Sequence, residues 1–192
     1  MRSDHLEIEH KFLVAEDFDA ARIAAVMAAL GAAHDKRLTV RDTYFWRHDR
    51  PDAVFRHRID AELHQLSVKS GSRDAEVRAE VNLDLAGPDA VRHVEAFLAI
   101  GWGPCQRLGV TKSIRVWEPP GFEVVHYVAR GDDGRVVRCV EFECTGDAPP
   151  EKAIDDLRGL ESRCGFQPAT RCPTSLFQLM TASDADFARL TS

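Results

Sequence analysis

Charged residues alternate with apolar residues in four short segments of the sequence. The charged members share one parity within each segment, and the segments are Glu7-Glu9-Lys11, Arg56-Arg58-Asp60, Arg78-Glu80 and Glu141-Glu143. Because successive side chains of a β-strand point to opposite faces, each segment predicts a strand with one charged face and one apolar face. Carboxylates bind hard divalent cations, and guanidinium and ammonium groups bind phosphate oxygens. The mixture of signs would therefore suit a polyanion such as a phosphate chain that is bound together with a metal.

Two arrangements of these strands are compatible with the alternation. In the first, an antiparallel sheet turns its charged face to water and packs its apolar face on a core. In the second, the strands close into a barrel, so that the charged faces enclose a lumen and the apolar faces lie outward under helices. Only the second arrangement gathers the charges around one cavity.

The remaining pattern predicts a mainly β, α+β chain. Strands are expected over 6–14, 38–46, 53–60, 63–69, 76–85, 109–117, 122–130 and 135–144. Helices are expected over 17–32, with Asp17 as N-cap, over 88–100 and 150–163, and in a short segment after 174. Since no repeat or linker interrupts the pattern, we expect one domain over 1–192, with a core of about 5–180 and a frayed tail over about 181–192.

Composition excludes several classes of protein. The 192 residues are 44% hydrophobic, which is enough for a core, and 31 acidic against 25 basic residues disfavour a general nucleic-acid binder. The five cysteines are odd in number and form no CxxC pair, so a reducing compartment is expected. Asp4, Glu7 and Glu9 do not fit a signal peptide, and the longest apolar stretch, 23–30, is far below the roughly 18 residues that span a bilayer. We expect a cytoplasmic protein with no membrane or nucleic-acid partner, either monomeric or homodimeric.

An ordered series of short motifs runs through the chain. It begins with Glu7-Ile8-Glu9-His10-Lys11, an ExExK sequence, and ends with Glu141-Phe142-Glu143 and a Gly165-Phe166 turn before Ser175-Leu176. Between them lie Asp42-Thr43-Tyr44-Phe45, Arg56-His57-Arg58, Ser67-Val68-Lys69, Arg78-Ala79-Glu80, Lys112 and Arg115. The series resembles the CYTH, or triphosphate tunnel metalloenzyme, family over nearly the whole chain.

The resemblance implies an eight-stranded antiparallel β-barrel that forms a tunnel, with helices packed outside. Members hydrolyse inorganic triphosphate, thiamine triphosphate or nucleotides, or cyclise ATP, with Mg2+ or Mn2+ as cofactor. Carried over by position, the metal carboxylates would be Glu7, Glu9, Glu141 and Glu143. The triphosphate would be bound by Lys11, Arg56, Arg58, Lys69, Arg78 and Arg115, and the catalytic residues would be Lys11, Arg56, Arg58 and Glu80. Glu80 would support the metal waters or orient Arg78.

The sequence departs from the family pattern at three places. The family usually has an Asp ligand on the strand before the last ExE, where this chain has His126, with Asp132 and Asp133 displaced into the following turn. Asn82 replaces a second Glu that often follows Glu80, and fewer carboxylates weaken a second metal site.

The basic pair on the sixth strand is offset from its usual position. Since alternation allows only one of Lys112 and Arg115 to face inward, we expect Arg115 to do so.

Three functions remain open on the sequence. The first is a metal-dependent triphosphatase, in which basic side chains stabilise charge on the transferred phosphoryl group. The second is a class IV adenylate cyclase-like conversion of ATP to cyclic AMP and pyrophosphate. The third is a polyphosphate- or nucleotide-binding module without catalysis, which the missing Asp and Asn82 would permit.

Overall fold

The computed structural model describes residues 6–32, 35–51, 53–70, 77–87, 89–146 and 148–191. Over these residues the chain forms eight β-strands and five α-helices. The strands are β1 (Leu6–Leu13), β2 (Asp35–Trp46), β3 (Ala53–Ile59), β4 (His64–Ser70), β5 (Val77–Asp84), β6 (Gln106–Trp117), β7 (Phe122–Gly131) and β8 (Val136–Cys144). The helices are α1 (Ala21–Ala29), α2 (Ala90–Gly101), α3 (Pro150–Cys164), α4 (Leu176–Thr181) and α5 (Asp184–Thr191).

The strands close into an antiparallel barrel in the order β1-β5-β4-β3-β2-β6-β7-β8. Closure depends on β1, which pairs with β8 over Glu9–Leu13 and with β5 over Leu6–Ile8. The prediction of an eight-stranded antiparallel barrel with external helices is confirmed. A closed barrel has two surfaces, and the period of two separates the side chains between them.

Apolar residues of the outer surface pack beneath the helices. Phe12 and Phe142, on neighbouring strands, are fully buried against α1 and α3 and meet edge to face, with ring centroids 5.8 Å apart. On another side of the barrel, Val94 and Leu98 of α2 pack on Phe45. The apolar faces that the sequence shows thus form the external cores.

The C-terminal helices close one end of the barrel. Leu176, Leu179 and Met180 of α4 are buried against Tyr44 and Tyr127, whose side chains belong to the inner surface. Ser175 caps α4 by accepting from the backbone N–H of Gln178 at 3.2 Å, while the Gln178 side chain accepts from the Ser175 backbone.

The first helix is shorter than the sequence predicts. It begins at Ala21, so the prediction of Asp17 as its N-cap is wrong; instead the Asp19 side chain accepts from the Ala21 N–H at 2.9 Å. No helix in the described part of the chain has both the length and the apolar character that crossing a bilayer requires.

Candidate active site

The inner surfaces of all eight strands line one cavity of about 1330 Å³. This volume exceeds the roughly 300–1,000 Å³ of ordinary small-molecule pockets. The predicted residues whose described side chains line it are Glu7, Glu9, Lys11, Arg56, Arg58, Glu80, Glu141 and Glu143. The charged faces therefore converge on a single lumen, as the barrel arrangement requires.

The Lys11 ammonium group lies between two carboxylates of the lumen. Its Nζ atom is 3.0 Å from Glu141 Oε1 and 3.3 Å from Glu9 Oε1. The strand register explains the contact, because Lys11 lies directly opposite Glu141 and Glu9 directly opposite Glu143. Burial alone would lower the pKa of Lys11, but Glu141 and Glu9 raise it far above its ordinary value. Lys11 is therefore a buried, permanently charged group.

A buried carboxylate on β2 holds two further cations. Asp42 is 0% exposed, accepts two hydrogen bonds from Arg58 at 2.9 and 3.1 Å, and lies 2.7 Å from Lys112 Nζ. Burial opposes ionisation of Asp42, yet Lys112 and Arg58 together hold its pKa well below its usual range. Burial lowers the pKa of Lys112, and the Arg58 charge acts in the same direction while Asp42 opposes both.

Arg56 is held by a second carboxylate. Its Nη2 donates to Glu80 Oε1 at 2.9 Å and to Ser67 Oγ at 3.3 Å. Ser67 in turn donates to Asn82 Oδ1 at 2.6 Å. Asn82, which stands where the family often has a second Glu, is therefore part of the hydrogen-bond network that orients Arg56.

Glutamates from three adjacent strands occupy neighbouring register positions on the lumen wall. Glu9 of β1 is opposite Glu143 of β8, and Glu143 is opposite Glu123 of β7. Burial raises the pKa of Glu123, with Glu118 and Glu141 adding to the effect and Arg58 opposing it. The row of carboxylates gives this part of the lumen a negative character.

The family model of the CYTH domain matches residues 5–173. The chain belongs to the CYTH domain family. CYTH proteins are typically enzymes that act on triphosphates and generally use divalent metal ions. No curated protein matches this chain.

Several solved structures share the CYTH fold with this chain. The PH1012 protein of Pyrococcus horikoshii OT3 is 19% identical and superposes with a TM-score of 0.66 over 91% of this chain and 99% of that one. A Bacillus halodurans protein named "putative adenylate cyclase" is 16% identical, with a TM-score of 0.58 over 93% and 98% of the two chains. The RNA triphosphatase domain of the mimivirus capping enzyme is 9% identical, with a TM-score of 0.54 over 84% and 90%. At these identities the likeness shows the fold.

The donor atoms of the lumen fit a hard divalent cation in type. Mg2+ and Mn2+ bind carboxylate oxygens, and the CYTH lumen of this chain presents several of them. Within the described residues, however, no three His, Cys, Asp or Glu side chains are close enough together to form a ready metal cluster. Lys11 lies between Glu9 and Glu141 instead. A bound cation would therefore require the carboxylates to turn from Lys11 towards the metal.

The expectation that Arg115 faces the lumen is wrong. Its guanidinium group binds Asp35 at 2.6 and 2.7 Å and stacks 4.6 Å from the Trp117 ring centroid, on the outer surface of the barrel. Lys112, of opposite parity, is the basic residue of β6 that lines the cavity. Ser113, on the same outer side of β6, is exposed to solvent, so a charged or polar residue on this strand does not by itself indicate the inner face.

Two other predicted residues are placed only through their backbone. Lys69 is opposite Glu80 in the β4–β5 pair, and Arg78 is opposite Glu7 in the β5–β1 pair. Their side chains lie outside the described part of the structure, so their binding of triphosphate stays a prediction, as does orientation of Arg78 by Glu80.

Sequence reasoning missed Asp42, Lys112 and Glu123 as site residues. A signal existed for Glu123, since it shares the inward parity of β7 with Val125 and Tyr127, whereas His126 has the opposite parity. His126 packs edge to face against Phe18, with ring centroids 5.4 Å apart, on the outside of the CYTH barrel. Asp132 likewise is bound outside the lumen, by Arg41 at 2.9 Å.

Proposed function

We propose that this chain is a metal-dependent triphosphatase, which hydrolyses a phosphoanhydride bond of inorganic triphosphate or of an organic triphosphate inside the barrel. The observation that carries the proposal is the convergence of the cations Lys11, Arg56, Arg58 and Lys112 on one cavity that also contains a row of carboxylates. A triphosphate is a linear polyanion, and cations on several walls of a lumen match it better than one flat basic patch does.

The cations are fixed before substrate arrives. Asp42 holds Arg58 and Lys112, and Glu80 holds Arg56, so these groups need little reorganisation to meet phosphate oxygens. Phosphoryl transfer depends mainly on positioning and electrostatic stabilisation, because charge spreads over the transferred group and the leaving oxygen. Groups that are already oriented in a buried site supply this stabilisation most effectively.

The reaction breaks one bridging P–O bond. Water attacks the terminal phosphorus in line, the electron pair of the bridging bond leaves with the diphosphate, and one proton of the water is released. Lys11, Arg56 and Arg58 would bind the phosphate oxygens on which negative charge accumulates. The groups that would hold Mg2+ or Mn2+ are Glu7, Glu9, Glu141 and Glu143, together with Glu123 as a fifth carboxylate of the lumen. Bound there, the metal neutralises charge on phosphate oxygens.

Substrate incubation separates this proposal from the two alternatives. The purified chain is incubated with tripolyphosphate or ATP, with Mg2+, with Mn2+ and with EDTA. Metal-dependent release of orthophosphate supports the triphosphatase, and formation of cyclic AMP with pyrophosphate supports a cyclase. Binding of tripolyphosphate without turnover of either substrate supports a binding module, and the triphosphatase proposal is then wrong.

Arg56→Ala provides the residue-level test. Loss of an arginine at such a transition state typically lowers the rate by ~10³-fold or more. Arg41→Ala is the matched control, since Arg41 is on the outer surface and binds Asp132. Wild-type turnover in Arg56→Ala would remove this residue from the mechanism.

A further inference from the structure

The seam of the barrel between β1 and β5 is completed by the C-terminal segment. In the part of the chain that the structure describes, β5 pairs with the first part of β1, over Leu6–Ile8. Further along β1, Phe12 forms an antiparallel bridge with Arg171, and the Cys172 N–H donates to the Lys11 carbonyl oxygen at 2.7 Å. Residues 171–172 therefore hydrogen-bond to the backbone of a residue that is central to the lumen.

A single buried carboxylate joins these two pieces of chain. Glu161 of α3 is 0% exposed. One of its oxygens contacts His10 Nδ1, and the other accepts from Arg171 Nη2 at 2.7 Å and Nε at 3.2 Å. His10 lies between Glu9 and Lys11 in β1, and its side chain is 1% exposed. One carboxylate oxygen of Glu161 thus holds β1, and the other oxygen holds the segment that pairs with β1.

Glu161 lies outside the lumen and does not contact the residues proposed to bind phosphate or metal. Removing its charge would leave the Arg171 guanidinium next to α3 without this carboxylate. Loss of the carboxylate at 2.7 Å weakens the attachment of this largely buried guanidinium to α3, so the segment would move outward towards water. Such a movement would release the Lys11 carbonyl and change the position of its side chain.

We propose that Glu161 is a positioning residue, which clamps the β1 seam through His10 and Arg171 and so sets the placement of Lys11 in the lumen. The effect on catalysis rests on the proposed function, whereas the clamp itself does not. In a preorganised site, displacement of a binding group by about 1 Å through a distant substitution can lower the rate by ~10²-fold.

Glu161→Gln tests the proposal because glutamine keeps the size and removes the charge. With tripolyphosphate and Mn2+, we expect kcat to fall by about 10- to 100-fold with a smaller change in KM, because the misplacement acts mainly on the transition state. Glu151→Gln is the control, since Glu151 is exposed on the same helix. We expect its kinetics to match those of the wild type.

A double variant separates positioning from simple stability. Glu161→Gln with Arg171→Gln removes the stranded cation, so it should recover most of the thermal stability that Glu161→Gln loses. If Glu161 only stabilises the fold, kcat recovers together with Tm. If it positions Lys11, kcat stays low while Tm recovers, and full recovery of kcat overturns the proposal. This comparison also applies if the single variant folds poorly.

Amide hydrogen exchange tests the clamp without any enzymatic activity. We expect Glu161→Gln to accelerate exchange at the Cys172 amide, and to leave the central β2–β6 pair protected as in the wild type. Unchanged protection of Cys172 would contradict the clamp even if the chain is an active triphosphatase. If the wild type turns over no triphosphate, the proposed function fails, while accelerated exchange at Cys172 would still support the clamp.

Discussion

The ion pairs of Asp42 in the lumen provide a sharp test of how the barrel interior is held together. Replacing Asp42 by Asn removes one negative charge and keeps nearly the same shape. Arg58 and Lys112, on the two strands that flank β2, would then lie near each other without the carboxylate that separates them. We expect a large loss of stability, because the buried Lys112 and the largely buried Arg58 would lose their shared counter-charge.

The magnitude follows from burial. Breaking a buried ion pair by removing one partner typically costs about 3–5 kcal/mol. For a domain of this size each kcal/mol lowers Tm by about 2–4 °C, so Asp42→Asn should lower Tm by roughly 6–20 °C. Asp35→Asn is the matched control on the same strand. Asp35 binds Arg115 with the same two-hydrogen-bond geometry, but its side chain is 48% exposed, and exposed pairs contribute about 0–1 kcal/mol.

Denaturant unfolding at several pH values provides the assay. The pKa of Asp42 in the folded state is below its unfolded value, so its stabilisation is complete above the unfolded pKa and is lost as the pH falls towards the folded one. The difference in unfolding free energy between wild type and Asp42→Asn should therefore be largest near neutral pH and decrease below about pH 4. If Asp42→Asn costs no more than Asp35→Asn at pH 7, the reasoning from burial is refuted.

Three other outcomes are expected. Lys112→Met should weaken tripolyphosphate binding, measured by calorimetry, because Lys112 lines the lumen. Arg115→Met should leave this binding unchanged, because Arg115 lies outside the barrel. Equal effects of the two substitutions would contradict the placement of the two side chains. Arg135 donates to the carbonyls of Leu179, Met180 and Ala182 at 3.1, 3.1 and 2.7 Å. Arg135→Met should therefore lower the free energy of unfolding by about 2 kcal/mol and accelerate amide exchange in α4 and α5 before the strands open. Unchanged exchange in these helices would show that the contacts do not hold them. Mg2+ should tighten tripolyphosphate binding and tripolyphosphate should tighten Mg2+ binding by the same factor, and calorimetric affinities that are independent of each other would count against a shared site.

Strand alternation predicted the two faces of each strand, and the family resemblance decided for a closed barrel over an open sheet. Strand alternation at Glu7-Glu9-Lys11 and Glu141-Glu143 depends only on the period of the backbone, and it predicted the inward direction of these side chains. The register that places Lys11 opposite Glu141 is a property of two distant strands, and no local pattern specifies it. The sequence therefore predicted which side chains of these two strands line the lumen. It did not predict which of them form ion pairs with one another.

The error on β6 has a physical cause. Sequence polarity reports exposure to water, and the outer surface of a barrel is apolar only where a helix covers it. β6 carries Thr111, the exposed Ser113 and Arg115 on its outer side, while its inner side holds Lys112 between Val110 and Val116. Both sides are partly polar, so polarity did not decide between Lys112 and Arg115.

On β7 the motif comparison directed attention to His126, whose parity places it outside. Parity counted from Tyr127, which donates to Glu141 at 2.7 Å, would have identified Glu123.

The pairing of charges inside the lumen limits what it can bind. Lys11 is already neutralised by Glu9 and Glu141, and Arg58 by Asp42. A bare triphosphate that takes Lys11 would leave two carboxylates without a cation beside a new polyanion, and a bare metal that takes the carboxylates would leave Lys11 unpaired. Each event alone creates an uncompensated buried charge, which is costly. When triphosphate and metal bind together, one set of ion pairs is exchanged for another. A lumen that contains both positive and negative groups therefore favours the metal complex of a polyphosphate over either component alone.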